Sequence, residues 1–207
     1  MIKEACTGSY LESIKAYNNG ATRLELCENL HEGGTTPSYG TTKQLLEEID
    51  IPIFVMIRPR GGDFVYSESE IKIMLEDIKV MDQLGVHGFV FGTLTPNNEI
   101  DYTLLKKLIA PIKGKDITFH KAIDELEDPV KEIKKLSELG ITRILSSGTK
   151  ATALEGKDIL NEMIKECDNN ISIVVAGGVT KENFDEVNKF IPNHEYHGKK
   201  IVTIINN

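Results

Sequence analysis

Cysteine is scarce in this chain of 207 residues. There are three, Cys6, Cys27 and Cys167, and an odd number in a chain without a secretion signal fits a reducing compartment. Basic residues are outnumbered: 24 Lys and Arg stand against 32 Asp and Glu, for a net charge of −8. That balance argues against nucleic acid and anionic membrane as partners. No apolar run approaches the roughly 18 residues needed to span a bilayer. The opening MIKEACTGS lacks the basic start and apolar core of a signal peptide, so the protein is expected to begin at Met1 and to be cytoplasmic. No Walker loop, no Ser-His-Asp order and no paired CxxC occurs, which removes the familiar signatures of P-loop and triad enzymes and of zinc ribbons. What remains is an ordinary soluble composition, 40% apolar and 27% charged, in a chain long enough for one domain, 1–207, with a real core.

The stretch around which the chain is organised is RLELCENLHEGGTTPS, Arg23 to Ser38. Arg23, Glu25 and Cys27 alternate with Leu24 and Leu26, the period of a strand. A polar, glycine-bearing loop follows. Charges and a thiol line one side of this strand and leucines the other. A closed barrel wrapped by helices covers both faces, so its polar side would face a pocket.

The remaining segments repeat the theme. Strands are expected at Ile2–Cys6, Arg23–Cys27, Pro52–Ile57, Gly88–Phe91, Asp116–His120, Arg143–Ser146, Ile171–Val175 and Glu195–His197. Helices are expected at 10–18, 41–49, 68–84, 102–109, 129–139, 157–166 and 181–190. Gly20-Ala-Thr-Arg-Leu-Glu-Leu aligns with Gly140-Ile-Thr-Arg-Ile-Leu-Ser, and more loosely with Gly85-Val-His-Gly-Phe-Val-Phe. Each unit is a helix-capping glycine, a short turn and a strand. Eight such units predict a closed parallel (β/α)8 barrel. Only ten residues follow His197, so a short form without a full eighth helix is expected. A partner subunit would cover that gap, making the protein a homo-oligomer.

In this fold the chemistry sits at the C-terminal ends of the strands. The residues expected there are Glu4 and Cys6, Glu25 and Cys27, Arg58, Gly92, Thr118 and His120, Ser147, Gly177 with Gly178, and His197. The loops Asn29–Ser38 and Pro59–Ser67 would overhang the first three strands. His31 lies in such a loop and reads as solvated.

LCENLHEGGTTPS, MIRPRGGDFVYS, TFHKAID, RILSSG, AGGV and the terminal YHG, in this order from the first strand to the eighth, resemble the CutC family, named for copper homeostasis. The resemblance implies a (β/α)8 barrel, a cytosolic protein, homo-oligomers and a role in copper tolerance. It also implies Cu(I) binding at the cysteine pair Cys6 and Cys27. One departure is local: Lys199-Lys200 follows Tyr196-His197-Gly198, where the family tends to a small polar residue.

Cys6 and Cys27 would end neighbouring strands about 4.8 Å apart, near enough for two thiolates to hold a soft ion such as Cu(I). The spacing C-x20-C is no metal motif in itself, and both residues read equally as small buried apolar groups. Cys167 follows a helix and reads as a bystander. An alternative is an enzyme acting on a small anionic or phosphorylated substrate. Glu4, Glu25 and His120 would supply acid–base catalysis, and Arg58 would clamp the anion. Ser147, Gly177 and Gly178 would offer backbone N–H groups to a phosphate, and His197 would close the site. Glu25 reads equally as the buried partner of Arg23 or Arg143, His120 as a hydrogen-bonded core histidine, and the glycines as turn residues.

Overall fold

The computed structural model describes residues 1–202. Eight strands, β1 (Ile2–Thr7), β2 (Arg23–Leu26), β3 (Ile53–Met56), β4 (Gly88–Phe91), β5 (Asp116–Phe119), β6 (Arg143–Ser146), β7 (Ser172–Val175) and β8 (Glu195–Gly198), pair in sequence order. All pairs are parallel, and β8 pairs with β1 to close the ring. Among the described residues seven α-helices surround it: α1 (Tyr10–Asn18), α2 (Tyr39–Glu48), α3 (Glu68–Leu84), α4 (Tyr102–Ile109), α5 (Ile133–Leu139), α6 (Lys157–Glu166) and α7 (Phe184–Phe190). The expected (β/α)8 barrel is therefore the fold. Among the described residues no helix follows β8, and no helix is long and apolar enough to cross a membrane.

Local chemistry explains the helix limits. Ser9, Ser38, Ser67 and Asp101 accept backbone N–H groups at the starts of α1 to α4, and Ser67 with Glu70 forms a reciprocal capping box. Because Ser38 is the cap, α2 begins at Tyr39, ahead of the expected Thr41. Two helices start later than the sequence suggests. Val130–Glu132 is a 3-10 turn after Pro129, which delays α5 to Ile133. Thr180 and Asn183 bond each other's backbone N–H groups, so the chain turns before α7 begins at Phe184. Two more 3-10 turns, Leu30–Glu32 and Lys121–Glu125, occupy stretches read as loop.

Outward-facing strand residues such as Leu24, Leu26, Val55, Phe89, Phe91 and Phe119 are fully buried between barrel and helices and form the main core. Inside the barrel the filling is different. Near the N-terminal ends the Phe54 ring lies between two guanidinium groups, Arg23 at 4.9 Å and Arg143 at 3.8 Å. Gly88 makes room for that ring, since a Cβ there would stand 3.0 Å from it. Arg143 pairs with Asp116 at 3.2 Å, and Arg23 bridges Glu4 and Glu195. This paired layer crosses the lower interior and separates the mouth from the N-terminal end of the barrel. Glu25 pairs with neither Arg23 nor Arg143, contrary to one reading of its burial: those cations are spent on Glu4, Glu195 and Asp116, and Glu25 stands one layer higher. The register sets this height, placing Glu4 beside Arg23 and Cys6 beside Glu25.

Candidate metal and ligand site at the barrel mouth

Glu4, Cys6, Glu25, Cys27, Arg58 and His120 are buried at the mouth end of the barrel, and His197 joins them with its side chain 12% exposed. Barrel closure brings His197 beside Glu4. Its Nδ1–H donates to Glu4 Oε1 at 2.7 Å, and its Nε2 lies 3.7 Å from Glu25 Oε2. Cys27 Sγ lies 3.6 Å from the same Glu25 oxygen. The sulfurs of Cys6 and Cys27 and a carboxylate oxygen of Glu25 lie within 4.8 Å of one another, and so do donor atoms of Glu4, Glu25 and His197. Glu25 joins the two groups. The third thiol, Cys167, is remote and donates to the Met163 carbonyl.

Charge is arranged to match. Burial alone would raise Glu4, but Arg23 and His197 outweigh it and hold the carboxyl down at about 2. Burial likewise opposes charge on His197, yet Glu25, Cys6 and Glu4 together raise it well above the usual imidazole range. A hydrogen bond from Cys27 carries Cys6 well below the usual thiol range against its burial, with help from His197. The same bond, with burial, pushes Cys27 up. Burial drives Glu25 well above the ordinary carboxylate range. The site thus favours a Cys6 thiolate facing a cationic His197, with Glu4 behind the imidazole.

The other predicted residues divide. Arg58 does not offer a free fork to an anion, because Nη1 donates to the Glu32 and Gly34 carbonyls and Nη2 to that of Gly62. It pins both long loops over the mouth, and it lies over the Phe64 ring at 4.8 Å. Lys199, the local departure at the end of β8, donates to the Leu30 carbonyl and ties the third side of the rim. His31 is solvated as expected, with its side chain 77% exposed. His120 is 4% exposed. Its Nδ1 accepts the Ala122 N–H at 3.2 Å, so Nε2 carries the proton. Burial and the nearby Arg58 charge lower it to about 3 and keep it neutral. Gly92 makes room for this imidazole, because a Cβ there would meet Nδ1 at 2.5 Å.

Sequence reasoning missed Asp124, the last residue of TFHKAID. Its carboxylate sits in the cup after β6 that was expected to offer N–H groups to a phosphate. It accepts from Ser146 Oγ at 2.5 Å, Ser147 Oγ at 2.9 Å, Ser147 N at 3.0 Å and Thr149 N at 3.1 Å. The Ser147 donors are therefore satisfied from within the chain. Gly177 and Gly178 both adopt positive φ, and a Cβ on Gly177 would stand 2.6 Å from Ser147 Cβ. Close packing against the β6 loop thus requires glycine there.

A closed parallel barrel with polar side chains gathered at the C-terminal rim defines a member of the (β/α)8 class. Solved aldolases share that fold at 11–12% identity and TM-scores of 0.69–0.70, a likeness of architecture alone. The chain belongs to the CutC family, whose pattern it matches over residues 1–202. It is 39% identical over 196 residues to the human copper homeostasis protein cutC homologue, covering 95% of this chain and 72% of that protein. It is 43% identical over 199 residues to a CutC family protein of Parabacteroides distasonis, covering 95% and 81%. A solved CutC structure from Streptococcus agalactiae superposes with a TM-score of 0.92 at 37% identity, covering 98% of this chain and all of that one.

Proposed function

We propose that this protein is a cytosolic copper-handling protein that binds Cu(I) through Cys6 and Cys27. The observation that carries this reading is the approach of the two thiols, with Glu25, to within 4.8 Å. The donor set fits the ion: Cu(I) is soft and favours sulfur over oxygen. The cationic His197 beside Cys6 supports the thiolate form that metal binding needs. Glu4 holds that imidazole in place, a supporting role outside the ligand set.

The test is an anaerobic Cu(I) titration against a chromophoric chelator. The reduced protein is expected to take up one equivalent, and Cys167→Ser to behave the same. Cys6→Ser combined with Cys27→Ser is expected to take up none. Unchanged stoichiometry in the double variant would refute the thiol site.

We further propose that the protein assembles as a homo-oligomer. Leu11 on α1 and Phe190 at the end of α7 are 67% and 45% exposed, and these helices flank the place outside β8. Light scattering at micromolar concentration is expected to give a multiple of the chain mass, reduced to one chain by Leu11→Lys.

A further inference from the structure

The mouth contains more than the two thiols need. Above them lies a cavity of about 340 Å³, between the sulfur-bearing floor and the pinned loops. That is roughly eleven water volumes at about 30 Å³ each, and it falls at the small end of ligand pockets. Leu30, Met56, Phe64 and Leu145 supply apolar wall. Three buried polar atoms of its lining residues have no hydrogen-bond partner among the described residues: His120 Nε2, Arg58 Nε and Glu25 Oε1. Buried polar groups are nearly always paired, so such orphans point to a missing partner. A larger cleft of about 740 Å³ at the opposite end of the barrel makes no such demand. Its Arg23, Arg143, Asp116 and Glu195 are already paired with one another or with Glu4.

The orphan atoms define what the ligand must carry. His120 Nε2 is a donor, because Nδ1 is occupied as an acceptor, so an oxygen acceptor is needed there. Glu25 Oε1 is matched by a hydroxyl, which can both donate and accept and so serves either form of the carboxyl. The charged residues lining the cavity are Arg58, Lys121, Lys199 and the cationic His197 against Glu25, Glu32 and the Cys6 thiolate. That basic excess, in a chain of net charge −8, favours an anionic ligand. A phosphate ester is not what the cup after β6 would receive, because Asp124 fills it.

We propose that the barrel mouth binds a small, unphosphorylated hydroxylated carboxylate of the sugar-acid type, with His120 Nε2–H donating to a ligand oxygen and Glu25 engaging a hydroxyl. This site goes beyond the copper reading and does not depend on it, since neither contact uses a sulfur atom.

The test uses the metal-free, reduced protein and D-glycerate, D-gluconate and D-glucuronate as probes. At least one is expected to raise the thermal midpoint and to bind in calorimetry. Glycerol, which lacks the carboxylate, and propionate, which lacks the hydroxyls, are expected to bind at least tenfold more weakly. His120→Ala is expected to weaken the best probe at least tenfold. The unsubstituted protein provides a measurement that does not depend on a variant folding: in a histidine-selective 15N spectrum, the His120 Nε2 resonance is expected to shift on titration with that probe. Silence from all three acids, an unmoved His120 resonance, or tighter binding of glycerol 3-phosphate than of D-glycerate would each overturn the proposal. Loss of Cu(I) binding in the cysteine double variant with sugar-acid binding retained would support it, and would separate its fate from that of the metal site.

Discussion

Asp124→Ala is expected to lower the unfolding free energy by about 3–4 kcal/mol, read from urea denaturation at neutral pH. The side chain is one carboxylate serving four donors: the hydroxyls of Ser146 and Ser147 and the N–H groups of Ser147 and Thr149. Hydrogen bonds to a charged group contribute roughly 1.5–3 kcal/mol each, and a buried donor left without a partner costs about 1–3 kcal/mol. The contacts share one acceptor group, so their losses do not add in full. The hydroxyls can also turn elsewhere: Ser147 Oγ already reaches the Lys150 carbonyl at 2.7 Å. The two backbone N–H groups have no such freedom, and they set the expected range. The variant carries its own control. Removing the carboxylate leaves an anion cup lined by N–H and O–H groups, so excess sulfate is expected to restore part of the lost stability by binding the folded state alone. A loss below about 1 kcal/mol, or no response to sulfate, would show that the cup is held together by other means.

The fold was legible because its signals are local. Capping glycines, short alternating strands and amphipathic helices recur in each βα unit, and they place β4, β6, α3, α4 and α6 at the observed bounds. Much of the mouth was legible for the same reason. Once the strands are known, alternation alone puts Glu4, Cys6, Glu25 and His197 on the inner face. What could not be read was who meets whom. The Glu4–His197 bond joins residues 193 apart in the chain and depends on closure of β8 onto β1. Arg23 could have served Glu4 or Glu25, and only the stagger of β1 against β2 decides between them. Arg58 looked like an anion clamp because it stands where the third strand enters the mouth and a guanidinium suits an anion. The loop carbonyls that occupy it carry no side-chain signal. Asp124 was invisible for a related reason: its partners lie 22 to 25 residues downstream, and a lone carboxylate in a short turn reads as surface.

Lowering the pH from 7.5 to 5 is expected to cost the folded state about 2 kcal/mol through His120 alone. In the folded chain this imidazole is pressed down to about 3 by burial and by the Arg58 charge. In the unfolded chain it has its ordinary value near 6.5. Below 6.5 the unfolded state takes up a proton that the folded state refuses. Stability is therefore fully present above the unfolded value and falls as pH drops toward 3, by up to about 1.4 kcal/mol per unit. Three groups at the mouth act on the same curve. One of them, Glu25, raised above its ordinary value, contributes stability in acid that is lost as pH rises through its folded value. Glu4, held at about 2, adds an acid loss that begins near its unfolded value of about 4.5. His197, raised above its ordinary value, works in the other direction, with stability present in acid and lost as pH rises through its folded value. All three terms are common to wild type and to a variant at position 120, and they cancel in the difference. His120→Asn retains an acceptor for the Ala122 N–H and removes the titrating ring. The stability advantage of wild type over His120→Asn is thus expected to shrink by about 2 kcal/mol between pH 7.5 and 5. Parallel curves for the two proteins would mean that His120 takes up its proton normally in the folded state. In that case Nε2–H would not be the sole donor of a neutral ring, and the uncharged contact assigned to it at the mouth would fail with it.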